Sequence, residues 1–173
     1  MPQLRNQESN FKGTIGKTLN DSEPWFELPQ HPGEDAPNIV VVLLDDTGFA
    51  QLGCYGSSIG TENIDNLAAD GLQFTNFHVT PLCSPTRASL LTGRSQHAVG
   101  MRSVSNFRTG FPHMLGHITN EADTMAEIFQ AEGYATFCAG KWHLAPMENC
   151  SSAGPFDQWP LGRGFDRFYG FLE

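Results

Sequence analysis

Asn38-Ile39-Val40-Val41-Val42-Leu43-Leu44 is an unbroken aliphatic, largely β-branched run that ends on Asp45-Asp46. A run with no alternating polar residue is the pattern of a strand covered on both faces in a parallel sheet. It predicts a central strand, with Asp45 and Asp46 at its carboxyl end. That is the edge at which open α/β folds assemble their sites.

Working outward, the segments downstream alternate in type. Ile64–Asp70 reads as a helix, capped by Asn63 and stopped by Gly71, with Ile64, Leu67 and Ala68 on one face. Leu72–Val79 alternates as a second strand. Ser84-Pro85 reads as an N-cap followed by proline at the first helical position, and Gly93 closes that helix. Cys83 therefore stands at a helix N-terminus. Thr124-Met125-Ala126-Glu127 is a capping box opening a helix that carries Met125, Ile128 and Phe129 and ends at Gly133. Tyr134–Ala139 returns as a strand. Alternation of strand and helix favours a mostly parallel sheet with helices on both faces, an α/β fold.

Composition agrees. The 173 residues, 39% hydrophobic, suffice for one packed domain, and 18 glycines and 11 prolines are more than a helical bundle would carry. Residues 1–36 form a polar arm interrupted by Pro24, Pro29, Pro32 and Gly33, and the domain proper runs from 37 to 173. No apolar stretch of signal-peptide type lies in residues 1–30, which leads to an expectation of a cytoplasmic protein. The longest apolar run, Ile39–Leu44, is far short of the roughly 20 residues that cross a bilayer, so no membrane association is expected.

A net charge of -9 excludes a protein that holds nucleic acid through clustered Lys and Arg. If such a chain handles an anionic substrate, its site must be locally positive, through a metal or a few placed cations. Cys54, Cys83, Cys138 and Cys150 show neither CxxC pairing nor zinc-finger spacing, and no disulfide is implied.

Three segments carry candidate chemistry. Asp45 and Asp46 repel each other unless neutralised; they suit a hard divalent cation with oxygen ligands, or alternatively form a solvated turn before Gly48. In Cys83-Ser84-Pro85-Thr86-Arg87 the helix places Arg87 one turn beyond Cys83 and aims its amide dipoles at the cysteine. The pattern is an anion pocket around a nucleophile, since the guanidinium fork suits sulfate or phosphate, or it is a capping loop with a chance cysteine. Gly140-Lys141-Trp142-His143 follows a strand and brings a cation and an imidazole to the same rim, unless Lys141 is simply solvated and His143 a loop histidine.

Taken together, Pro37-Asn38-Ile39 through Asp45-Asp46, Cys83-Ser84-Pro85-Thr86-Arg87 running into Leu91-Thr92-Gly93-Arg94, and Gly140-Lys141-Trp142-His143-Leu144 resemble the type I sulfatases of the alkaline phosphatase superfamily. The likeness covers Pro37 to Leu172. It implies an alkaline-phosphatase-like α/β sandwich and hydrolysis of a small-molecule sulfate ester. It further implies that Cys83 is oxidised to formylglycine by a formylglycine-generating enzyme, and that the hydrate attacks sulfur. Asp45 and Asp46 resemble ligands of a calcium ion that also binds the modified Cys83. Arg87 resembles the residue steadying the nucleophile, Lys141 a sulfate contact, and His143 a partner of the formylglycine diol.

Two departures stand out. Glu62 precedes Asn63 where the family often has proline, a helix-entry detail. Members of the family also run well past this length and draw further metal ligands, usually Asp and Asn, plus another His and Lys, from downstream. The chain is therefore expected to be the N-terminal part of the catalytic domain, at best marginally folded and inactive alone. Phosphonate monoester and phosphodiester hydrolases share the Cys-x-Pro-x-Arg element; Lys141-x-His143 tips the reading toward sulfate. An inactive metal-binding or pairing module is the rival from another class.

Overall fold

The computed structural model describes residues 11–26, 28 and 31–173. The polar arm read over 1–36 is thus described in part, with residues 1–10, 27, 29 and 30, Pro29 included, outside the described residues. Within it, Thr14 and Glu23 pair their backbones in an antiparallel bridge.

Among the described residues, the regular structure consists of three α-helices and one parallel strand pair, with short 3-10 turns between them: α1 (Glu62–Asp70), α2 (Cys83–Thr92), α3 (Met125–Ala131), β1 (Phe137–Lys141) and β2 (Arg167–Phe171). β1 and β2 run parallel, with Phe137 opposite Arg167 and Gly140 opposite Gly170. The mixed α/β class with a parallel sheet is the one the alternation predicted. At the Gly140–Gly170 register the backbones come so close that a Cβ on Gly170 would collide with the Gly140 carbonyl, so glycine is required there.

Local signals fixed the helix ends. Thr124 caps α3 through both halves of the capping box: its hydroxyl accepts from the Glu127 amide at 3.2 Å, and the Glu127 carboxylate accepts from the Thr124 amide at 2.6 Å. Gly93 ends α2 in the left-handed region at φ +64, as a C-terminal glycine should.

Five expectations need correction. α1 begins at Glu62 with Thr61, not Asn63, in the cap position; the Thr61 hydroxyl donates to Asp65 and accepts from the Gly53 amide instead of capping. α2 begins at Cys83, which makes Leu82 the cap and puts Ser84 and Pro85 inside the first turn. The strand expected over Tyr134–Ala139 lies at Phe137–Lys141, and its partner Arg167–Phe171 was not anticipated. Most of all, Ile39–Leu44 forms no strand and Leu72–Val79 none either; Val40 is 83% exposed and Leu72 87%. A strand exists through its neighbour, and residues 38–44 make no ladder bond among the described residues. Aliphatic content alone cannot supply one.

The core lies elsewhere, between α2 and the segment after β1. Ala88, Val99, Met101, Ile118, Ala122, Trp142, Leu144 and Ala145 are buried together. Trp142 also donates its indole N–H to the Gln158 carbonyl at 2.8 Å. Each large side chain buried there stabilises by about 1.5–3 kcal/mol. Arg163, 4% exposed, ties the far side of this core: its guanidinium donates to the carbonyls of Ile118 and Ala122 and pairs with Glu127 at 3.3 Å.

Candidate active site

Cys83 is the first residue of α2, so its side chain stands at the positive end of the helix dipole. The loop before it is stapled to the helix: Thr80 and Thr86 hydroxyls meet at 2.6 Å, and Thr86 also donates to the Thr80 carbonyl. Such anchoring fixes where Sγ points.

His143 approaches from the end of β1. It stands between buried Trp142 and Leu144, which pin the backbone on either side. Its φ of +54 lies in the left-handed region, a conformation costing about 1–3 kcal/mol for a residue with a side chain. Nδ1 of its ring is 3.1 Å from Cys83 Sγ, and Nε2 is 2.6 Å from Asn106 Oδ1. Burial, followed by the positive charges of Lys141 and Arg87, lowers the imidazole's pKa below the ordinary histidine value. The ring is thereby held toward its neutral form.

Arg87 and Lys141 flank this pair. Arg87 donates to the Lys141 carbonyl at 2.5 Å and lies 3.7 Å from Asp45. Its Nε is buried and has no hydrogen-bond partner among the described residues. Lys141 donates to Asp45 Oδ2 at 2.7 Å. That bond, with the nearby charges of Lys141 and Arg87, lowers the Asp45 pKa, and the same bond raises that of Lys141.

Asp45, Asp46, Cys83 and Arg87 share the wall of one cleft of about 600 Å³, which continues along Phe74 and Val79. Asp46 also has a left-handed backbone, φ +53. Hence the structure pairs Cys83 with His143, joins Asp45 to Arg87 and Lys141, and sets Asp45, Asp46, Cys83 and Arg87 along one cleft. Oxygen donors of Asp45 and Asp46 fit a hard divalent ion in kind. Among the described residues no group of three or more His, Cys, Asp or Glu side chains is arranged to hold a metal, so these two carboxylates supply only part of a coordination shell.

Sequence reasoning missed Asn106, Ser84 and Ser105. Ser84 Oγ accepts from the Ser105 amide at 3.1 Å, which docks the Asn106 loop onto α2 one residue past Cys83. No spacing rule points to a contact between positions 106 and 143; only the fold brings them together. All four cysteines are free thiols.

The sulfatase family model matches residues 37–173. Human arylsulfatase A is 45% identical over 140 residues, covering 78% of this chain and 25% of its own length. Human arylsulfatase D is 42% identical over 137 residues, covering 78% and 23%. Human steryl-sulfatase is 42% identical over 139 residues, with the same coverages. Among solved structures, that of Ps i-CgsB superposes with a TM-score of 0.61 at 35% identity, covering 74% of this chain and 26% of that one. The chain spans about a quarter of the length of the curated relatives it matches.

Proposed function

The chain belongs to the sulfatase family, with its alkaline-phosphatase-like α/β fold, and on that premise we propose that residues 37–173 are the N-terminal part of a catalytic domain hydrolysing a small-molecule sulfate ester. The observation that carries the reading is Cys83 Sγ at 3.1 Å from His143 Nδ1, with Arg87 and Lys141 beside them. A nucleophile, a proton acceptor and two cations converge in a chain whose net charge is -9, which is the locally positive site such chemistry needs.

The family implies a formylglycine and a divalent metal in general terms; here Cys83 is the residue proposed for modification by a formylglycine-generating enzyme, and calcium the proposed metal, held by Asp45, Asp46 and the modified side chain. When present, the two supply an oxygen nucleophile and positive charge at the sulfuryl oxygens. His143 takes up a proton at Nδ1 from the side chain at position 83. Arg87 steadies the side chain at position 83 and the ammonium of Lys141 donates to a sulfate oxygen, the two cations together spreading the charge of the sulfuryl group. The bond from Arg87 to the Lys141 carbonyl keeps both cations in register.

Production of the complete protein with a formylglycine-generating enzyme, followed by peptide mass spectrometry and steady-state rates on an aryl sulfate and an aryl phosphonate, tests the reading. Formylglycine at position 83, preference for the sulfate, and loss of turnover in Cys83→Ala at unchanged melting temperature are expected. Unmodified thiol throughout, or faster turnover of the phosphonate, would sink it.

A further inference from the structure

We infer that Asn106 is a positioning residue that sets the tautomer and ring orientation of His143, an inference that rests on the role proposed for His143 above. The amide oxygen Oδ1 of Asn106 lies 2.6 Å from His143 Nε2 and also accepts from the Ser105 hydroxyl at 3.3 Å. A carbonyl oxygen can only accept, so the ring nitrogen facing it must carry the hydrogen. In the neutral imidazole the proton then sits on Nε2. Nδ1 is left with its lone pair aimed at the side chain of residue 83, 3.1 Å away. That is the state in which His143 can take up a proton there. In the opposite tautomer the ring's single N–H would face the nucleophile, and two acceptors, Nε2 and Asn106 Oδ1, would face each other.

The loop is built to hold this geometry. Met101 and Met114 pair in an antiparallel bridge, Arg102 N–H donates to the His113 carbonyl at 3.0 Å, and Leu115 N–H to the Gly100 carbonyl at 2.9 Å, so residues 101–114 form a closed hairpin-like loop. Ser105, 2% exposed, locks the loop to α2 through Ser84, the residue next to Cys83. Contacts thus close a ring from Cys83 through His143, Asn106 and Ser105 to Ser84 and back along the chain. The nucleophile, the proton acceptor and the group orienting that acceptor are fixed to one another through a single helix turn. This is the logic by which a third group orients a catalytic base, and the wrong tautomer there is costly.

Long-range 15N–1H spectra of the histidine rings in the complete protein read the tautomer without turnover. The parent should show His143 protonated at Nε2; Asn106→Ala should lose that signature to a mixture. In the modified enzyme the alanine variant should lower kcat by about 10- to 100-fold with KM within about twofold, the cost of a misplaced reacting group. Asn106→Asp, which keeps an acceptor at the same point, should restore the Nε2–H signal. A parent protonated at Nδ1, or Asn106→Ala with parental signals, overturns the inference. Parental Nε2–H signals without sulfate ester turnover would sink the proposed function and leave the positioning role standing.

Discussion

Lys141 Nζ donates to Asp45 Oδ2 at 2.7 Å, joining two segments 96 positions apart into one charged corner beside Cys83. The pair is partly open, with Asp45 still 36% exposed at its side chain, and so its net contribution to folding is about 1 kcal/mol or less. Lys141→Met should therefore lower the melting temperature by a few degrees at most while cutting kcat/KM by about 10²–10³-fold, since a donor aimed at developing charge matters far more to the transition state than to the fold. Thermal melts and steady-state kinetics of the complete enzyme decide between that outcome and a matched loss in both.

Asp46 separates metal binding from ion pairing, because it makes no salt bridge among the described residues, whereas Asp45 pairs with Lys141 and Arg87. Calorimetric titration with calcium should find Asp46→Asn and Asp45→Asn both weakened by about tenfold or more, the effect of removing one carboxylate charge from a hard-ion site. Only Asp45→Asn should also return the Lys141 pKa toward its ordinary value. Parental calcium affinity in both variants would make the two residues a solvated turn.

Arg163 is the structural counterpart of these charges. Replacing it by Met leaves the buried carbonyls of Ile118 and Ala122 without their donor and the Glu127 carboxylate with the Thr124 amide alone, at a cost of about 1–3 kcal/mol for each orphaned carbonyl. Arg163→Lys should recover little, because one ammonium cannot span the same acceptors as the fork. Denaturant midpoints at constant slope measure the effect; a change within about 0.5 kcal/mol would contradict the anchoring role.

Asp166 provides an acid-sensitive clasp between the strands. Its carboxylate accepts from the Thr136 amide at 2.8 Å and from Gln130 at 2.7 Å, bonds that hold its pKa below the usual carboxylate value. A group whose folded pKa is depressed stabilises above its unfolded pKa, about 3.9, and that stabilisation is lost as pH falls through the folded value. Asp166→Asn should lower stability slightly at neutral pH, the exposed carboxylate being screened by solvent, and flatten the stability profile below about pH 4. An unchanged acid limb in the variant would refute the assignment.

What the sequence disclosed follows the range of each signal. Thr124 with Glu127, and Gly93 at its helix end, are contacts within one turn, and they formed as read. The candidate-site residues could be named because each stands on a short motif, yet their mutual bonds could not: Asn106 reaches His143 across 37 positions, and Arg163 reaches Ile118 across 45. Ile39–Leu44 shows the opposite failure. Its composition is that of a strand, but composition specifies only a capacity to pair, and the pairing itself is a property of a second segment.

Asp46 and His143, both at positive φ, also bear on the history of such sequences. Each keeps a side chain where glycine would sit at ease, at a standing backbone cost of about 1–3 kcal/mol. Duplicated copies that have ceased to perform the reaction should drift to glycine or asparagine at these two positions early, before their cores change. Among related chains, a glycine at either place would remove a side chain that the proposed site uses, even where Cys83 survives.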